Sequence, residues 1–167
     1  MSGNRGLQAP RYATIIAYMP VFAHLFPEQK ILVSQFKGRL TGELLTSYYE
    51  KIISLDDGST EYAELVDFRS VTEIDIESDT LSNVANKITS LYGASETKMK
   101  CAVIAGSDLA YGLSRMYEMG ESPETIEIGV FRDLPEALDW LGASDLAFQK
   151  QLDRLSSDSP SVVLKIG

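Results

Sequence analysis

Met99-Lys100-Cys101-Ala102-Val103-Ile104-Ala105-Gly106, followed by Ser107-Asp108-Leu109-Ala110-Tyr111-Gly112-Leu113, is the stretch that decides how this chain folds. Residues 99–106 are apolar but for Lys100 and show no alternation. They read as a strand buried on both faces, the kind found in parallel sheets. Gly106 punctuates the run. Ser107 or Asp108 offers a side-chain oxygen to the first free N–H groups of a helix. Leu109, Leu113 and Met116 then recur at helical spacing, up to Gly120. A strand feeding directly into a helix is half of a crossover unit, and a crossover joins parallel strands.

The same grammar extends in both directions. Downstream, residues 125–131 alternate Ile126, Ile128 and Val130 as a strand. Asp133 then opens a helix, with Glu136 placed for a capping box. Its stripe is Leu134, Ala137, Leu138 and Leu141, and Gly142 closes it. Residues 144–155 align Phe148, Leu152 and Leu155 on a further amphipathic helix, whose stripe must cover either its own sheet or a second copy of the chain. Upstream, Asp79 can cap a helix carrying Leu81, Val84, Ala85, Ile88, Leu91 and Tyr92, with Gly93 at its end. Residues 61–68 form a strand bodied by Leu65, Val66 and Phe68. Thr41 caps the helix Gly42–Leu55, whose buried face is Leu44, Leu45, Tyr48, Ile52 and Leu55. Residues 30–37 are a strand that Gly38 turns. Residues 12–26 read as one strand, ended by Pro20, and a packed loop. The alternation predicts an α/β fold with a central, mostly parallel sheet of about five strands, about four helices and a C-terminal helix. The organisation is a loose arm over 1–11, one domain over 12–142, and a C-terminal helix and tail over 143–167, where 161–167 is a tail or an added edge strand.

Composition narrows the function. The 167 residues are 44% hydrophobic and 23% charged, enough apolar side chain for one core. A net charge of −9 disfavours phosphate backbones and anionic membranes as partners. Residues 12–26, after Arg5 and Arg11, loosely imitate a secretion signal but carry Pro20 and His24 within them. They are too short and too broken to span a bilayer. The one cysteine, Cys101, lies inside the apolar run and reads as a buried structural thiol in a reducing cytoplasm.

Most site chemistries lack their residues. One His, His24, and one Cys give no metal-ligand grouping, no cofactor motif is present, and no catalytic residue is assigned. Gly-x-Ser-x-Gly, Gly-x-Gly-x-x-Gly and the Walker sequence do not occur. Gly106-Ser107-Asp108 opens a helix whose N–H groups suit either an anion or water. Carboxylates working in pairs stay open as a minor enzymatic alternative among 24 Asp and Glu.

Three strings go beyond generic pattern. They are Phe36-Lys37-Gly38-Arg39-Leu40-Thr41 with Leu65-Val66-Asp67-Phe68-Arg69; Tyr111-Gly112-Leu113-Ser114-Arg115-Met116-Tyr117; and Phe131-Arg132-Asp133-Leu134-Pro135-Glu136-Ala137-Leu138-Asp139-Trp140-Leu141. Together they resemble the SpoIIAA-like family, similar in fold to STAS domains and SEC14-type lipid-binding domains, over roughly residues 12–142. In STAS anti-sigma-factor antagonists a Ser in an Asp-Ser-Ser-Gly turn is phosphorylated. Asp75 can be laid over that Asp, but Ile76, Glu77 and Ser78 follow it, so the resemblance does not bring the phosphoacceptor with it. Glu77 near that position is either a fixed negative charge or a solvated loop residue.

The resulting expectation is a non-catalytic STAS-like regulatory or binding module in the bacterial cytosol. Its partner is a protein, met through the carboxyl-end face of the sheet, where ligands of open α/β sheets bind. The residues expected on that face are Asp67, Arg69, Asp75, Ser107, Asp108, Tyr111, Arg115 and Arg132. Arg115 is also expected to act as a partly buried structural tie. The alternative is a small apolar, lipid-like ligand in an enclosed pocket, and a homodimer is a further expectation.

Overall fold

In the computed structural model, which describes residues 13–18, 21–55, 62–92, 98–116 and 126–157, the strand of the deciding stretch is a central one. The elements run β1 (Ala13–Tyr18), β2 (Val21–Phe26), β3 (Ile31–Thr41), α1 (Gly42–Leu55), β4 (Ala63–Asp75), α2 (Ser78–Tyr92), β5 (Met99–Ile104), α3 (Asp108–Met116), β6 (Ile126–Phe131), α4 (Leu134–Leu141) and α5 (Leu146–Ser157). The strands lie side by side in chain order. β3–β4, β4–β5 and β5–β6 pair in parallel, while β1–β2 and β2–β3 are antiparallel. The α/β class, the mostly parallel sheet and four helices followed by a C-terminal helix are as expected.

Strands laid down in one direction by crossovers of one hand put their helices on one face. Tyr48 and Leu45 of α1, Val84 of α2 and Tyr111 of α3 accordingly pack with Phe36, Val66, Cys101 and Val130. Among the described residues no strand follows β6, and α4 and α5 return across the opposite face. There Leu134, Leu138, Phe148 and Leu152 bury against Phe26, Val33, Leu65 and Ile104. The stripe on α5 therefore covers its own sheet, with Phe148 edge-on to Phe26 at 5.1 Å between centroids.

Three elements differ from the sequence reading. Residues 21–26, read as a packed loop, are β2, which makes the sheet six-stranded. β2 lies between β1 and β3 and is buried along almost its whole length. It therefore lacks the alternation that marks a strand with one wet face. Gly38 does not turn the chain out of the sheet. It sits at φ 74° in an irregularity of β3, which continues to Thr41; glycine accepts this left-handed backbone at no steric cost. β4 likewise runs past Phe68 to Asp75, pairing with β3 as a two-stranded ribbon beyond the ends of β5 and β6. Its second half, Arg69-Ser70-Val71-Thr72-Glu73-Ile74-Asp75, is polar enough to read as a loop, yet Phe68, Val71, Ile74 and Ile76 pack on the α1–α2 face.

The caps mostly follow the sequence. Thr41 Oγ1 accepts from Leu44 N at 3.1 Å, and Ser107 Oγ from Ala110 N at 3.1 Å. α2 begins at Ser78, so Asp79 lies in its first turn. Asp133 Oδ1 accepts from Glu136 N at 3.0 Å, and Gly142 ends α4 at φ 74°. Gly93 and Gly120 lie outside the described residues. Asp133→Ala leaves a first-turn N–H without its acceptor, and a loss of about 1 kcal/mol is expected, read as a lower denaturant midpoint with an unchanged slope.

Candidate functional site at the carboxyl ends of the parallel strands

Two neighbouring strands of this sheet send their connections to opposite faces. β5 leads into α3 on one side, and β6 leads into α4 on the other. Such a divergence opens a crevice at the carboxyl ends of the strands, the usual binding place in open α/β sheets. Ala105 N donates to Phe131 O at 3.0 Å, fastening the two connections at their base.

Above that bond four of the expected residues gather. Ser107 caps α3 with its side chain and also accepts from Tyr111 N through its carbonyl at 2.9 Å. Asp108 occupies the first helical position with its side chain 96% exposed. Its Oδ1 accepts from an Arg132 terminal nitrogen at 2.7 Å. The Arg132 guanidinium carbon lies 4.2 Å from the centroid of the Tyr111 ring, a cation–π stack. Leu109, between Asp108 and the buried Ala110, is 61% exposed.

A second pair lies one strand away. Asp67 is buried and accepts from Arg69 three times, from the backbone N at 2.9 Å, Nε at 3.0 Å and a terminal nitrogen at 2.9 Å. That hydrogen bonding, with the nearby Asp67 and Asp153 charges, holds the Arg69 guanidinium more firmly charged than usual. Gly106 joins the two pairs. A Cβ there would lie 3.0 Å from the Arg69 Cα, so a larger residue would push the β5–α3 turn off the β4 backbone by a few tenths of an ångström.

Two expected residues stand apart. Asp75 closes the ribbon, where its Oδ2 accepts from Arg39 at 2.5 Å. It lies eight residues beyond Asp67, roughly 25 Å along an extended strand. Arg115 is in the last turn of α3 and is exposed, not partly buried.

The charges decide what the crevice suits. Both arginines already hold carboxylates, Arg69 with Asp67 and Arg132 with Asp108. The Asp108 carboxylate also stands at the amino end of α3, where an anion would otherwise sit. This is a charge-balanced surface in which a tyrosine ring and an arginine, side-chain types enriched at interface hot spots, stand beside an exposed leucine.

A different polar cluster, not anticipated from the sequence, lies inside the α1–α2 face. Tyr48 OH donates to Glu64 Oε1 at 2.7 Å, and Ser34 Oγ lies 3.4 Å from the same oxygen. Ser34 Oγ and Tyr48 OH also share a short hydrogen bond. Cys101 Sγ faces Glu64 Oε2 at 3.9 Å. All four residues are buried. Burial raises the Glu64 carboxyl to about 7, against the lowering effect of its hydrogen bonds. Burial and the Glu64 charge push the Tyr48 hydroxyl and the Cys101 thiol up as well. Period two places Glu64 on the face of Val66 and Phe68, so its inward direction was legible; its three partners, from three other elements, were not. Outside this cluster, the buried His24 imidazole is lowered to about 4 by burial. It pairs in register with Val33, on the α4–α5 face.

No family model matches the chain, and comparison with curated proteins finds no match. Among solved structures, the chain is similar to an uncharacterized protein from the DUF3478 family with a SpoIIAA-like fold, from Shewanella loihica PV-4 (TM-score 0.40, 21% identity, 81% of this chain and 99% of that one). It is also similar to the anti-sigma factor antagonist SpoIIAA in its unphosphorylated form (TM-score 0.39, 7% identity, 88% of this chain and 99% of that one).

Proposed function

We propose that the protein is a non-catalytic, STAS-like regulatory or binding module that meets a protein partner through the carboxyl-end face of its sheet. One observation carries the reading: the exposed Leu109 stands beside an Asp108–Arg132 pair stacked on Tyr111, where adjacent strands diverge. Tyr111 also opens the Tyr-Gly-x-x-Arg-Met-Tyr string through which the sequence resembles the SpoIIAA-like family. The single free, buried cysteine suits a reducing cytosol. Besides a small apolar ligand, the sequence also suggested a second copy of the chain as partner. The α5 stripe that suggested it is buried within the chain, which favours a different protein over a second copy.

The test is a double variant, Leu109→Asp with Arg132→Glu. Leu109 is exposed and the Arg132 pair and stack are surface contacts, so the double variant should lose no more than about 2 kcal/mol and stay folded. A protein that co-purifies with the wild-type chain from its native cells should be lost. Retention of that protein by the folded double variant contradicts the reading.

A further inference from the structure

The Tyr48–Glu64 contact joins a helix to a sheet by its most proton-sensitive atoms. Ser34, Glu64 and Cys101 come from three adjacent strands, β3, β4 and β5, whereas Tyr48 comes from α1. Tyr48 is 4% exposed and its ring packs edge-on to Phe36 at 5.0 Å. Glu64 is also 4% exposed. The groups facing it are Ser34 from β3, the Tyr48 hydroxyl from α1 and the Cys101 thiol from β5. From β2 and α2 the neighbouring core residues are Ala23, Val84 and Leu81, all apolar. The charged Lys87 of α2 instead pairs with Glu50 of α1 on the exposed side. None of these groups facing the Glu64 carboxyl carries a positive charge.

An ionised carboxylate here has two hydroxyl groups near Oε1 and only a weak thiol donor near Oε2. Burying a charge without a countercharge is costly, and the direct way to solvate it is to lift away the helix that carries Tyr48. We propose that Glu64, buried beneath Tyr48, is a proton-operated latch: neutral, it leaves α1 docked on the sheet, and once it is ionised, the hydration it gains on opening exceeds the Tyr48 and Ser34 hydrogen bonds it loses, so α1 opens at lower cost. The pH range follows from the carboxyl's rise to about 7. α1 starts directly from Thr41 at the end of β3, and its Gly42 lies against Thr80 of α2, so its opening reaches the far end of the β3–β4 ribbon, where Thr41 pairs with Asp75.

Hydrogen exchange followed by mass spectrometry tests this on the full chain. After correction for intrinsic rates, α1 amides should lose protection roughly fiftyfold between pH 5 and pH 8. Amides of α4, on the far face, should not follow, because opening α1 leaves α4 packed. Glu64→Gln, which cannot ionise, should abolish the dependence in α1. An α1 protection that is constant with pH, or one that falls equally in α4, overturns the latch. So does persistence of the effect in Glu64→Gln. If that variant does not fold, infrared detection of the wild-type acid replaces it: a carboxylic-acid band vanishing in step with α1 protection supports the latch, and a band with a different midpoint overturns it.

Discussion

Phe148→Ala is expected to destabilise the domain by roughly 3–5 kcal/mol, a value set by the loss of a fully buried aromatic ring and the cavity it leaves. Phe148 is 2% exposed and stacks edge-on to Phe26. Leu146, two residues earlier on the same helix, is 71% exposed, so Leu146→Ala should change stability by about 0.5 kcal/mol or less. Denaturant unfolding of both variants checks the contrast. It separates a helix that completes the core from an appendage on a finished domain. Equal midpoints for the two variants would place α5 outside the cooperative unit.

The second large effect is masked in the wild-type protein. The folded Glu64 carboxyl is raised from 4.5 to about 7. Between those values the folded chain binds a proton that the unfolded chain has released, so stability falls as pH rises. Glu64's contribution is complete below pH 4.5, and its loss is complete above about 7. At about 1.4 kcal/mol per unit the fall amounts to about 3 kcal/mol. His24 acts in the opposite sense. Its folded value is lowered from 6.5 to about 4, so in that window the unfolded chain binds the extra proton and stability rises with pH. The two slopes nearly cancel from pH 4.5 to 6.5. Global stability measured by denaturant should therefore change little there through these groups. In Glu64→Gln the His24 rise, about 3 kcal/mol, should appear. A variant profile as flat as that of wild type would show that Glu64 is not the opposing group. The compensation is global only: His24 and Glu64 lie on opposite faces of the sheet, so opening α1 exposes one without the other.

What could be read from the chain depended on how far each signal reaches. Met99–Ile104 with Ser107, and Asp133 with Gly142, are local signals: an apolar run, a cap, a left-handed stop. They locate β5, α3 and α4, and through them the crevice holding Ser107, Asp108, Tyr111 and Arg132. β2 was hidden because burial on both faces removes its alternation. The second half of β4 was hidden because ribbon pairing with β3, a tertiary contact, holds a polar segment extended. Asp75 was placed on this face because it can be laid over the Asp of the STAS antagonists' turn, but the extended second half of β4 sets it eight residues beyond Asp67. The Ser34–Tyr48–Glu64–Cys101 cluster joins four elements across separations of up to 37 residues along the chain, and no local pattern encodes that.

The most direct measurement of the central claim is site-specific photo-crosslinking in native cells, with a photoreactive residue placed at Leu109 or at Leu146. Both positions are exposed leucines, and neither is part of the core. Leu109 stands at the carboxyl-end crevice. Leu146 opens α5 near the other end of the sheet, where Phe148 meets Phe26 beside the start of β3. The account predicts a discrete crosslinked protein from position 109, absent from position 146 and lost when Arg132→Glu is added. Crosslinking from position 146 alone, or crosslinking from 109 unaffected by Arg132→Glu, would contradict it.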